Sequence, residues 1–451
     1  MPAPLEKNNP IIIVGAGTWG CSTSLHLARR GYTDVTVFDP FPVPSIISAG
    51  NDINKVLEAG SFSGGEDEAV VAQILLAAAK QGWRNDPVFS PYFHDVGYIL
   101  AASSTAAIKT TLEREINHHK DLFTELSTAE DFRATMPPGV LTGEFPQWKG
   151  WLRRSGVGWV HARKAMVAAY EEAGRLGVKF VFGNARGKVE SLLYQTGDVR
   201  GVRTADGIDH SSNRVILAAG AYAPQIFDFE NQLRPTAWTL AHIQMSPEEA
   251  KLYRNLPVLF HSEKGFFMEP DEDNLELKVC DEYPGYCNWV TPEEGKDNAL
   301  PYSKPLPRNK IPVESARRIR RFLSETMPHL ADRPFSHAAT IWCADTSNRA
   351  FLITQHPRYE SLILAAGDSG HGFTHLPSIG GFVADLMCGQ LDSRLAKSWR
   401  WRPEVAQGFW GDDVLGRSGA DNRVIHLNET ASEGWIGAGS DATQVVRLSK
   451  L

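Results

Sequence analysis

The segment from Ile11 to Asp39 constrains the fold more than any other part of this chain. Four apolar residues (11–14) are followed by the glycine turn Gly15-Ala16-Gly17-Thr18-Trp19-Gly20, a helical stretch to Arg30 and a second apolar run, 35–38, which Asp39 closes. Strand, glycine turn, helix, strand and acid in this order are typical of the βαβ unit that binds a dinucleotide. The sequence therefore predicts a Rossmann-type nucleotide site.

The glycines of this turn have separate tasks. Gly15 allows the tight turn, Gly17 lets the backbone approach a pyrophosphate, and Gly20 lets the helix pack close to the strand. Thr18 lies at the start of the helix, where unpaired N–H groups face the phosphates. Asp39 stands where an acid accepts hydrogen bonds from a ribose hydroxyl, which favours FAD or NAD over a cofactor with a 2′-phosphate.

Length and composition limit the class of protein. At 451 residues the chain exceeds the size of one usual core, so we expect two domains. A hydrophobic content of 42% and a charged content of 22% are typical of a globular protein. The net charge of −7 predicts neither a nucleic-acid nor a membrane partner. The longest apolar candidate, residues 70–79, is too short to cross a membrane, and residues 1–7 lack the pattern of a secretory signal.

The cysteines predict neither disulfides nor a metal site. The chain has five, an odd number, and they are widely spread: Cys21, Cys280, Cys287, Cys343 and Cys388. This usage favours intracellular thiols. The tripeptide Ser449-Lys450-Leu451 matches a peroxisomal address, so we expect a peroxisomal import receptor as a partner.

The patterns predict an α/β protein: a Rossmann-type FAD-binding domain with a discontinuous second α+β substrate domain built on an antiparallel sheet. The expected limits are 1–95, 151–236 and 338–395 for the FAD-binding domain, 96–150 and 237–337 for the substrate domain, and 396–451 for a C-terminal segment. Helices are expected over 66–82, 105–120, 162–176 and 313–327. A strand over 362–366, a glycine turn over 367–372 and a helix over 379–387 predict a second place where N–H groups at a helix start meet an anion or a flavin edge.

Several motifs together resemble those of the fungal amadoriases, the fructosyl amino acid or fructosyl peptide oxidases of the monomeric sarcosine oxidase group within the D-amino-acid-oxidase-like flavoproteins. They are the first glycine turn, Ala49-Gly50-Asn51-Asp52-Ile53-Asn54-Lys55, Gly265-Phe266-Phe267-Met268-Glu269-Pro270, Cys280-Asp281-Glu282-Tyr283-Pro284-Gly285-Tyr286-Cys287 and Cys343-Ala344-Asp345-Thr346. The resemblance extends to about Pro403. It implies an FAD enzyme, mostly monomeric in the family, that oxidises the C–N bond of a glycated amino acid or peptide and passes electrons to O2, giving H2O2.

The resemblance also implies roles for individual residues. It makes Cys343 the thiol bonded to the flavin, Lys278 the lysine over flavin N5 that stabilises the anion formed from O2, and Glu282 the acid that contacts the substrate. The residues alone leave simpler alternatives open: a buried thiol, a solvated edge lysine and a surface turn acid. Lys55, with Asn54, matches the loop on the oxygen side of the flavin, although an exposed loop lysine is the alternative.

Further positions are expected at the cofactor: Ser48, Val189, Gly370, Phe373 and Thr374. Thr374 departs from the family, in which many members carry a lysine that binds the substrate carboxylate. Either Arg417 supplies the missing charge, or the substrate carboxylate lies farther away, as in glycated dipeptides and ε-glycated lysine. Arg417 as a solvated loop residue is the alternative.

Other functions remain open from the sequence. An oxidase of saccharopine, pipecolate or N-methyl amino acids would use the same scaffold. An NAD-linked dehydrogenase would carry no bound yellow chromophore. A non-enzymatic flavin or nucleotide sensor is a further alternative. In an oxidase of this kind no strong base is needed, because the neutral amine lone pair assists hydride departure from the adjacent carbon.

Overall fold

The computed structural model describes residues 5–57, 66–282, 285–290, 302–306, 309–406, 424–427 and 434–439. Two predictions, for Arg417 and for the tripeptide 449–451, lie outside the described residues. None of the helices in the described part of the chain has the length and apolar character needed to cross a membrane.

A six-stranded sheet forms the centre of the nucleotide-binding unit. Its order is Leu352–Gln355, Leu362–Ala366, Arg214–Leu217, Ile11–Val14, Val35–Asp39 and Lys179–Phe182. All neighbours are parallel except the first two strands, which are antiparallel. Continuous apolar runs such as Ile11–Val14 are buried throughout because parallel sheets are covered on both faces.

The glycine turn has the predicted geometry. Gly15 has φ +102, a conformation that other residues rarely adopt, and it joins the strand Ile11–Val14 to the helix Thr18–Arg29. A Cβ on Gly20 would lie 1.8 Å from the carbonyl oxygen of Gly15. Only glycine therefore lets the helix approach the turn this closely.

A second sheet of ten described strands packs beside the first. Its order is Ile425–His426, Tyr286–Cys287, Arg234–Gln244, Glu276–Asp281, Gly265–Phe267, Val258–His261, Tyr98–Ala102, Lys149–Arg153 and Thr124–Leu126, with Phe335–Asp345 also paired to Arg234–Gln244. The expectation of a purely antiparallel sheet is wrong in two places. Val258–His261 runs parallel to Tyr98–Ala102, and Tyr286–Cys287 runs parallel to Ile425–His426, because segments distant in sequence join the sheet there.

The two faces of this second sheet differ. Leu277 and Val279 point into an apolar core shared with the helix Val313–Thr326. Lys278, between them, projects from the opposite face, as strand alternation requires. That opposite face looks toward the nucleotide-binding unit, since Lys278 contacts Asp52.

Two predicted elements need correction. The helix expected over 105–120 ends at Arg114 and gives way to short 3-10 turns at Ile116–His118 and Lys120–Leu122. The side chain of Ile116 is buried, and Asn117 and His118 are weak helix formers. Burial of Ile116 is therefore favoured over continuation of the helix. The second glycine turn leads into a 3-10 turn, Gly372–His375, and the helix Ile379–Met387 starts beyond it. Backbone of this turn, not a helix terminus, therefore faces the site.

The remaining described elements surround these sheets. The other helices are Glu66–Asn85, Ala129–Arg133, Ala162–Arg175, Pro247–Leu252 and Ser393–Trp399. Small sheets join Lys55–Leu57, Gly158–Val160 and Phe93–His94; Val189–Gln195, Asp198–Thr204 and Asp209–Ser211; Trp289–Val290 and Tyr302–Ser303; and Lys310–Pro312 and Trp435–Gly437.

The expected domain limits at 236/237 and 337/338 fall inside two strands of the second sheet, Arg234–Gln244 and Phe335–Asp345. The division of the chain into domains stays a prediction.

Candidate active site

A cavity of about 910 Å³ lies between the carboxyl ends of the parallel strands and the polar face of the second sheet. The predicted residues that line it are Gly15, Gly17, Thr18, Asp39, Ser48, Lys55, Val189, Lys278, Glu282, Cys343, Gly370, Phe373 and Thr374. Gly20 does not line it, because its task is helix packing. The fold thus brings to one cavity residues that are spread over most of the chain.

Asp39 forms one end of the cavity. Its Oδ2 accepts a hydrogen bond from the backbone N–H of Ala16 at 2.9 Å, and its Oδ1 accepts one from Phe41 at 2.9 Å. Burial raises the pKa of Asp39 above its usual value, although both N–H donors oppose this rise. Each carboxylate oxygen has two lone pairs, so both retain capacity for a ribose hydroxyl.

Two buried polar groups on the cavity wall have no hydrogen-bond partner among the described residues. They are the hydroxyl of Tyr222 and the indole N–H of Trp342. Burial raises the pKa of Tyr222 to about 12, so the hydroxyl keeps its proton at neutral pH. Since buried polar groups are normally paired, these two indicate a polar ligand in the cavity. Together with the glycine turn and Asp39, they fit FAD.

A buried cluster of three charges lies at the other end. The Nζ atom of Lys278 donates to Oδ2 of Asp52 at 2.6 Å and to the carbonyl oxygen of Asn54 at 2.7 Å. The Nζ atom of Lys55 lies 2.8 Å from the same Oδ2. The side chain of Lys278 is 1% exposed, so the alternative of a solvated edge lysine is wrong.

The cluster has a fixed electrostatic balance. Burial would raise the pKa of Asp52, but the ammonium groups of Lys278 and Lys55 outweigh it and hold that pKa below its usual range. For Lys55, burial would lower the pKa, but Asp52 outweighs it and raises the value. Two ammonium groups around one carboxylate leave a net positive charge on the cavity wall. Such a charge stabilises an anion that forms nearby.

Cys343 lies on the wall near this cluster. It is 5% exposed, and its Sγ receives a hydrogen bond from the indole Nε1 of Trp238 at 3.2 Å and donates to the carbonyl oxygen of Thr236 at 3.3 Å. Thr236 is its direct partner on the neighbouring strand. These contacts hold the sulfur in one position on the cavity wall.

The second glycine turn is tied to the same strand. Oδ1 of Asp368 accepts a hydrogen bond from the N–H of Ala344 at 2.8 Å, and the N–H of Ser369 donates to the carbonyl oxygen of Ala344 at 2.9 Å. The indole N–H of Trp83 donates to the carbonyl oxygen of Thr374 at 2.7 Å. The position of this turn relative to Cys343 is therefore set by backbone contacts.

Glu282 follows the last residue of the strand Glu276–Asp281 and is partly buried. Its neighbour Asp281 is anchored by Arg318, whose Nε and Nη2 atoms donate to the carboxylate at 2.8–3.1 Å. Ser315 donates to the same carboxylate at 2.9 Å. This anchoring fixes the strand end that presents Glu282 to the cavity.

Sequence reasoning assigned no role to Asp52, Trp238, Tyr222 or Asp368. Asp52 stands inside a motif that was recognised, but nothing local indicates that it pairs with a lysine in another sheet. Trp238 and Tyr222 belong to segments with no motif. Only the register of Arg234–Gln244 with Phe335–Asp345 places Trp238 near Cys343.

Metal ligation was not expected, and among the described residues one group has suitable spacing: His161, Asp271 and Asp273. It lies outside the cavity. Asp273 already pairs with the ammonium of Lys164 at 3.0 Å, and His161 lies 3.1 Å from Asp271.

Comparisons with known proteins agree with this geometry. Residues 10–386 match the family model described as FAD dependent oxidoreductase. The solved structure of fructosyl amine:oxygen oxidoreductase (amadoriase I) from Aspergillus fumigatus is 51% identical, with a TM-score of 0.92, and the match covers 97% of this chain and 99% of that one. The fructosamine oxidase amadoriase II of the same organism, solved in complex with FSA, is 50% identical, with a TM-score of 0.93 and the same coverage. L-saccharopine oxidase of Schizosaccharomyces pombe is 29% identical over 411 residues, which cover 87% of this chain and 93% of that protein.

The family match spans most of the chain, and both amadoriases are matched over nearly their whole length. The protein therefore belongs to the FAD dependent oxidoreductases and, within them, to the amadoriases.

Proposed function

We propose that this protein is an FAD-dependent oxidase that cleaves the C–N bond of fructosyl amino acids or peptides, using O2 and water to give glucosone, free amine and H2O2. The observation that carries the proposal is the buried Lys278–Asp52–Lys55 cluster in the same cavity as the dinucleotide cradle. A nucleotide site alone would suit many oxidoreductases. A buried positive cluster at its far end suits one that reduces O2.

Residues of this chain at both ends of the cavity would bind FAD. Asp39 and the turn at Gly15 and Gly17 would hold the adenosine and pyrophosphate, and the second glycine turn with Cys343 would hold the flavin. When bound, the flavin accepts two electrons from the substrate carbon and passes them to O2. We propose that Cys343 is bonded covalently to it, because the sulfur is fixed on the cavity wall by Trp238 and Thr236.

The covalent bond has a simple test. Purified protein is precipitated with acid, and the yellow colour and mass of the pellet are measured. Covalent attachment predicts colour in the pellet and, on the peptide that contains Cys343, a mass increase equal to FAD less the two hydrogens lost when the S–C bond forms. The Cys343→Ser variant should release its flavin into the supernatant, and wild-type protein that does the same would refute the bond.

Glu282 and the lysine cluster have separate tasks in this proposal. The carboxylate of Glu282 suits a cationic secondary amine and the sugar hydroxyls. The ammonium groups of Lys278 and Lys55 stabilise the anion formed as O2 takes its first electron. Once the bound amine has lost its proton, the site holds the neighbouring carbon in position, so that the lone pair of the neutral amine assists hydride departure.

We also propose that the substrate carries its carboxylate away from the glycated nitrogen. Thr374 lines the cavity and has no charge, where many relatives have lysine. Among the described lysines that line the cavity, Lys55 and Lys278 are both held by Asp52, and Lys188 pairs with Glu190 at 3.3 Å. Glycated dipeptides and ε-glycated lysine therefore fit better than small α-glycated amino acids, unless Arg417 supplies the charge.

One assay separates the proposed function from its alternative. Peroxide release is measured by a peroxidase-coupled assay with fructosyl-valine, ε-fructosyl-lysine and fructosyl-valyl-histidine beside sarcosine, pipecolate and saccharopine. We expect turnover of the sugar adducts alone. Turnover of saccharopine alone would favour the alternative that the Schizosaccharomyces pombe relative supports. Colourless protein that cannot be reconstituted with FAD would refute both.

We propose a peroxisomal location from Ser449-Lys450-Leu451. A fluorescent protein fused before residue 1 should collect in peroxisomes with the chain. The same fusion without Leu451 should not, and equal distribution of the two would refute the import signal.

A further inference from the structure

The polar face of the second sheet carries a row of titratable side chains that the proposed chemistry does not use. Lys278 pairs in register with His242 on the neighbouring strand, and His242 pairs with His337 on the next. Directly opposite residues of antiparallel strands share a face, with Cβ atoms about 4.5–5.5 Å apart. The row therefore leads from the buried lysine to the partly buried His337.

Glu276 connects this row to solvent. Its Oε2 lies 2.9 Å from Nδ1 of His242, and its Oε1 accepts a hydrogen bond from the hydroxyl of Ser336 at 2.7 Å. The rings of His242 and His337 have centroids 4.9 Å apart. The side chain of Glu276 is 18% exposed, against 7% for His242 and 1% for Lys278. Exposure thus falls steadily from the carboxylate to the lysine.

An irregularity in the sheet assembles these contacts. The register between Arg234–Gln244 and Phe335–Asp345 shifts between His242 and Ile243, which leaves Ser336 without a direct partner in the pairing of these two strands. Consecutive residues of a regular strand point to opposite faces. Here Ser336 donates to Glu276 while the next residue, His337, contacts the ring of His242, so two consecutive side chains reach the paired residues Glu276 and His242, as a bulge permits.

The protonation properties of the row suit proton transfer. The Nε2 atom of His242 is buried and has no hydrogen-bond partner among the described residues, while Nδ1 contacts Glu276. The hydrogen bond from His242 lowers the pKa of Glu276, and burial, with the neighbouring His242, lowers the pKa of His337. At neutral pH the carboxylate of Glu276 and the neutral imidazole of His337 can each accept a proton and pass it on.

Other charges face the row from the nucleotide-binding unit. Asp52 contacts Lys278, and it also raises the pKa of His337, which places its charge near that ring. Arg163, on the helix Ala162–Arg175, lowers the pKa of His337 and donates from Nε to Asn51 at 3.1 Å. The row therefore lies in the contact between the two sheets and ends at the lysine cluster.

We propose that Glu276, His242 and His337 form a proton relay between solvent and Lys278. The inference rests on the proposed oxidase function. In the overall reaction the substrate carbon and its amine nitrogen each lose one hydrogen and a C=N bond forms. O2 gains the two protons and two electrons that these hydrogens carried and becomes H2O2. Oxidation of the amine releases a proton to the protein, and reduction of O2 takes a proton back.

A separate route is useful because Lys278 has little access to water. It is bonded to Asp52 and Asn54, and the cavity in front of it holds the reactants during turnover. The relay reaches the lysine across the sheet instead of through the cavity. Its members act through Lys278 and are positioning groups, not catalytic residues.

The reaction with O2 tests the relay without any substrate. Holoenzyme is reduced with dithionite and mixed with oxygenated buffer in a stopped-flow instrument, and flavin absorbance is followed in ordinary and in deuterated water. We expect His242→Gln to slow reoxidation about 10²-fold or more and to raise the solvent isotope effect, because a proton-transfer group contributes factors of about 10²–10⁴. The matched control is His356→Gln, a buried histidine in the connection between the strands Leu352–Gln355 and Leu362–Ala366 and outside the cavity lining, which should leave both quantities unchanged.

Two further results decide whether the effect passes along the row. In the Lys278→Met background, His242→Gln should cause no further slowing, since the relay then has no acceptor. In Glu276→Gln, the NMR titration of His337 should move to lower pH, because a neighbouring negative charge is removed. An unchanged NMR titration of His337 would show that Glu276 does not act on this histidine, which would contradict the relay at its solvent end.

Wild-type reoxidation and isotope effect in His242→Gln would overturn the relay, as would full additivity with Lys278→Met. If His242→Gln does not fold, Glu276→Gln and His337→Gln carry the same test. Failure to oxidise fructosyl amines would overturn the proposed function but leave this dithionite experiment valid. The two failures are therefore distinguishable.

Discussion

The two ends of the cavity differ in how far apart their partners lie along the chain. At the nucleotide end, Asp39 accepts its hydrogen bond from Ala16, 23 positions away, within one βαβ unit. At the other end, Lys278 reaches Asp52 across 226 positions, and Trp238 reaches Cys343 across 105. The first end is a local structure, whereas the contacts of the second form only when segments distant in the sequence pack together.

The difference also concerns charge. The nucleotide end combines backbone groups and one carboxylate, whereas the far end buries two ammonium groups and one carboxylate. At the glycine turn the backbone leaves little room for an added side chain. At the far end, removing one partner of a buried ion pair leaves the other charge uncompensated. Substitutions at the two ends should therefore fail in different ways.

The largest effect is expected at the nucleotide end, from Gly20→Val. Because a Cβ would lie 1.8 Å from the carbonyl oxygen of Gly15, the helix must move and the turn with it. We expect loss of bound flavin and a destabilisation beyond the roughly 1–3 kcal/mol of ordinary overpacking. The ratio of flavin to protein absorbance and thermal unfolding measure both. Gly174→Ala, in a helix with open space around it, is the control and should not destabilise the protein.

Asp52→Asn tests the far end through stability. Removing one partner of a buried ion pair costs about 3–5 kcal/mol, because it leaves charge uncompensated. Since the pKa of Asp52 is lowered on folding, its stabilisation is complete above the unfolded-state pKa of about 3.9 and is lost as pH falls through the lower folded-state value. The difference in unfolding free energy between wild type and variant should thus stay constant from about pH 8 to 5. A difference that vanished in this range, or a loss no larger than that of the exposed Asp209→Asn, would contradict the assignment.

Lys278→Met should leave the nucleotide end intact and damage the reaction with O2. Loss of a preorganised charge at a developing anion typically costs about 10²–10³ in rate. Anaerobic reduction by a fructosyl amine should change far less than reoxidation by O2, and the protein should remain yellow. Lys179→Met, at an exposed position of the parallel sheet, is the control. Equal losses in both half-reactions would show that the lysine serves the substrate instead.

The smallest effect is expected from Trp238→Phe. It removes one hydrogen bond to Sγ of Cys343, which is worth about 1 kcal/mol, and keeps most of the ring volume. We expect slower covalent attachment of flavin to freshly expressed apoprotein, with the same final extent. Acid precipitation at successive times measures the bound fraction, and Trp401→Phe is a control in another part of the core. Attachment at the wild-type rate would mean that the indole does not assist the thiol.

Prediction from sequence succeeded where the pattern was local. The strand Ile11–Val14 and the helix Ile379–Met387 have the expected bounds, because continuous apolar runs and turn residues specify them directly. The helix over 105–120 was overestimated because burial of Ile116 ended it, a tertiary effect. The N–H groups expected at a helix start after the second glycine turn belong to the turn itself.

Thirteen of the predicted site residues line the cavity, some predicted from the glycine turn with Asp39 and the others from the family resemblance, but the partners of the lysines and of Cys343 were not predicted. The motif around Asn54 and Lys55 contains Asp52, and its spacing alone does not show that this acid binds Lys278. The alternation of Glu276–Asp281 predicted that Lys278 opposes Leu277 and Val279, but not that its face is buried. Burial depends on what packs against a sheet, which a strand's own sequence does not encode.

The sequence by itself determined the dinucleotide unit, because its strand, glycine turn, helix and acid interact with one another within 29 residues, Ile11 to Asp39. The tertiary structure alone decided the charge cluster, the contacts of Cys343 and the row from Glu276 to Lys278. Those contacts join strands by register and sheets by packing, over separations at which no local pattern constrains the partner. Neighbouring residues determine the geometry of a local unit. The energetic balance of buried charges is established only when distant segments pack together and exclude water.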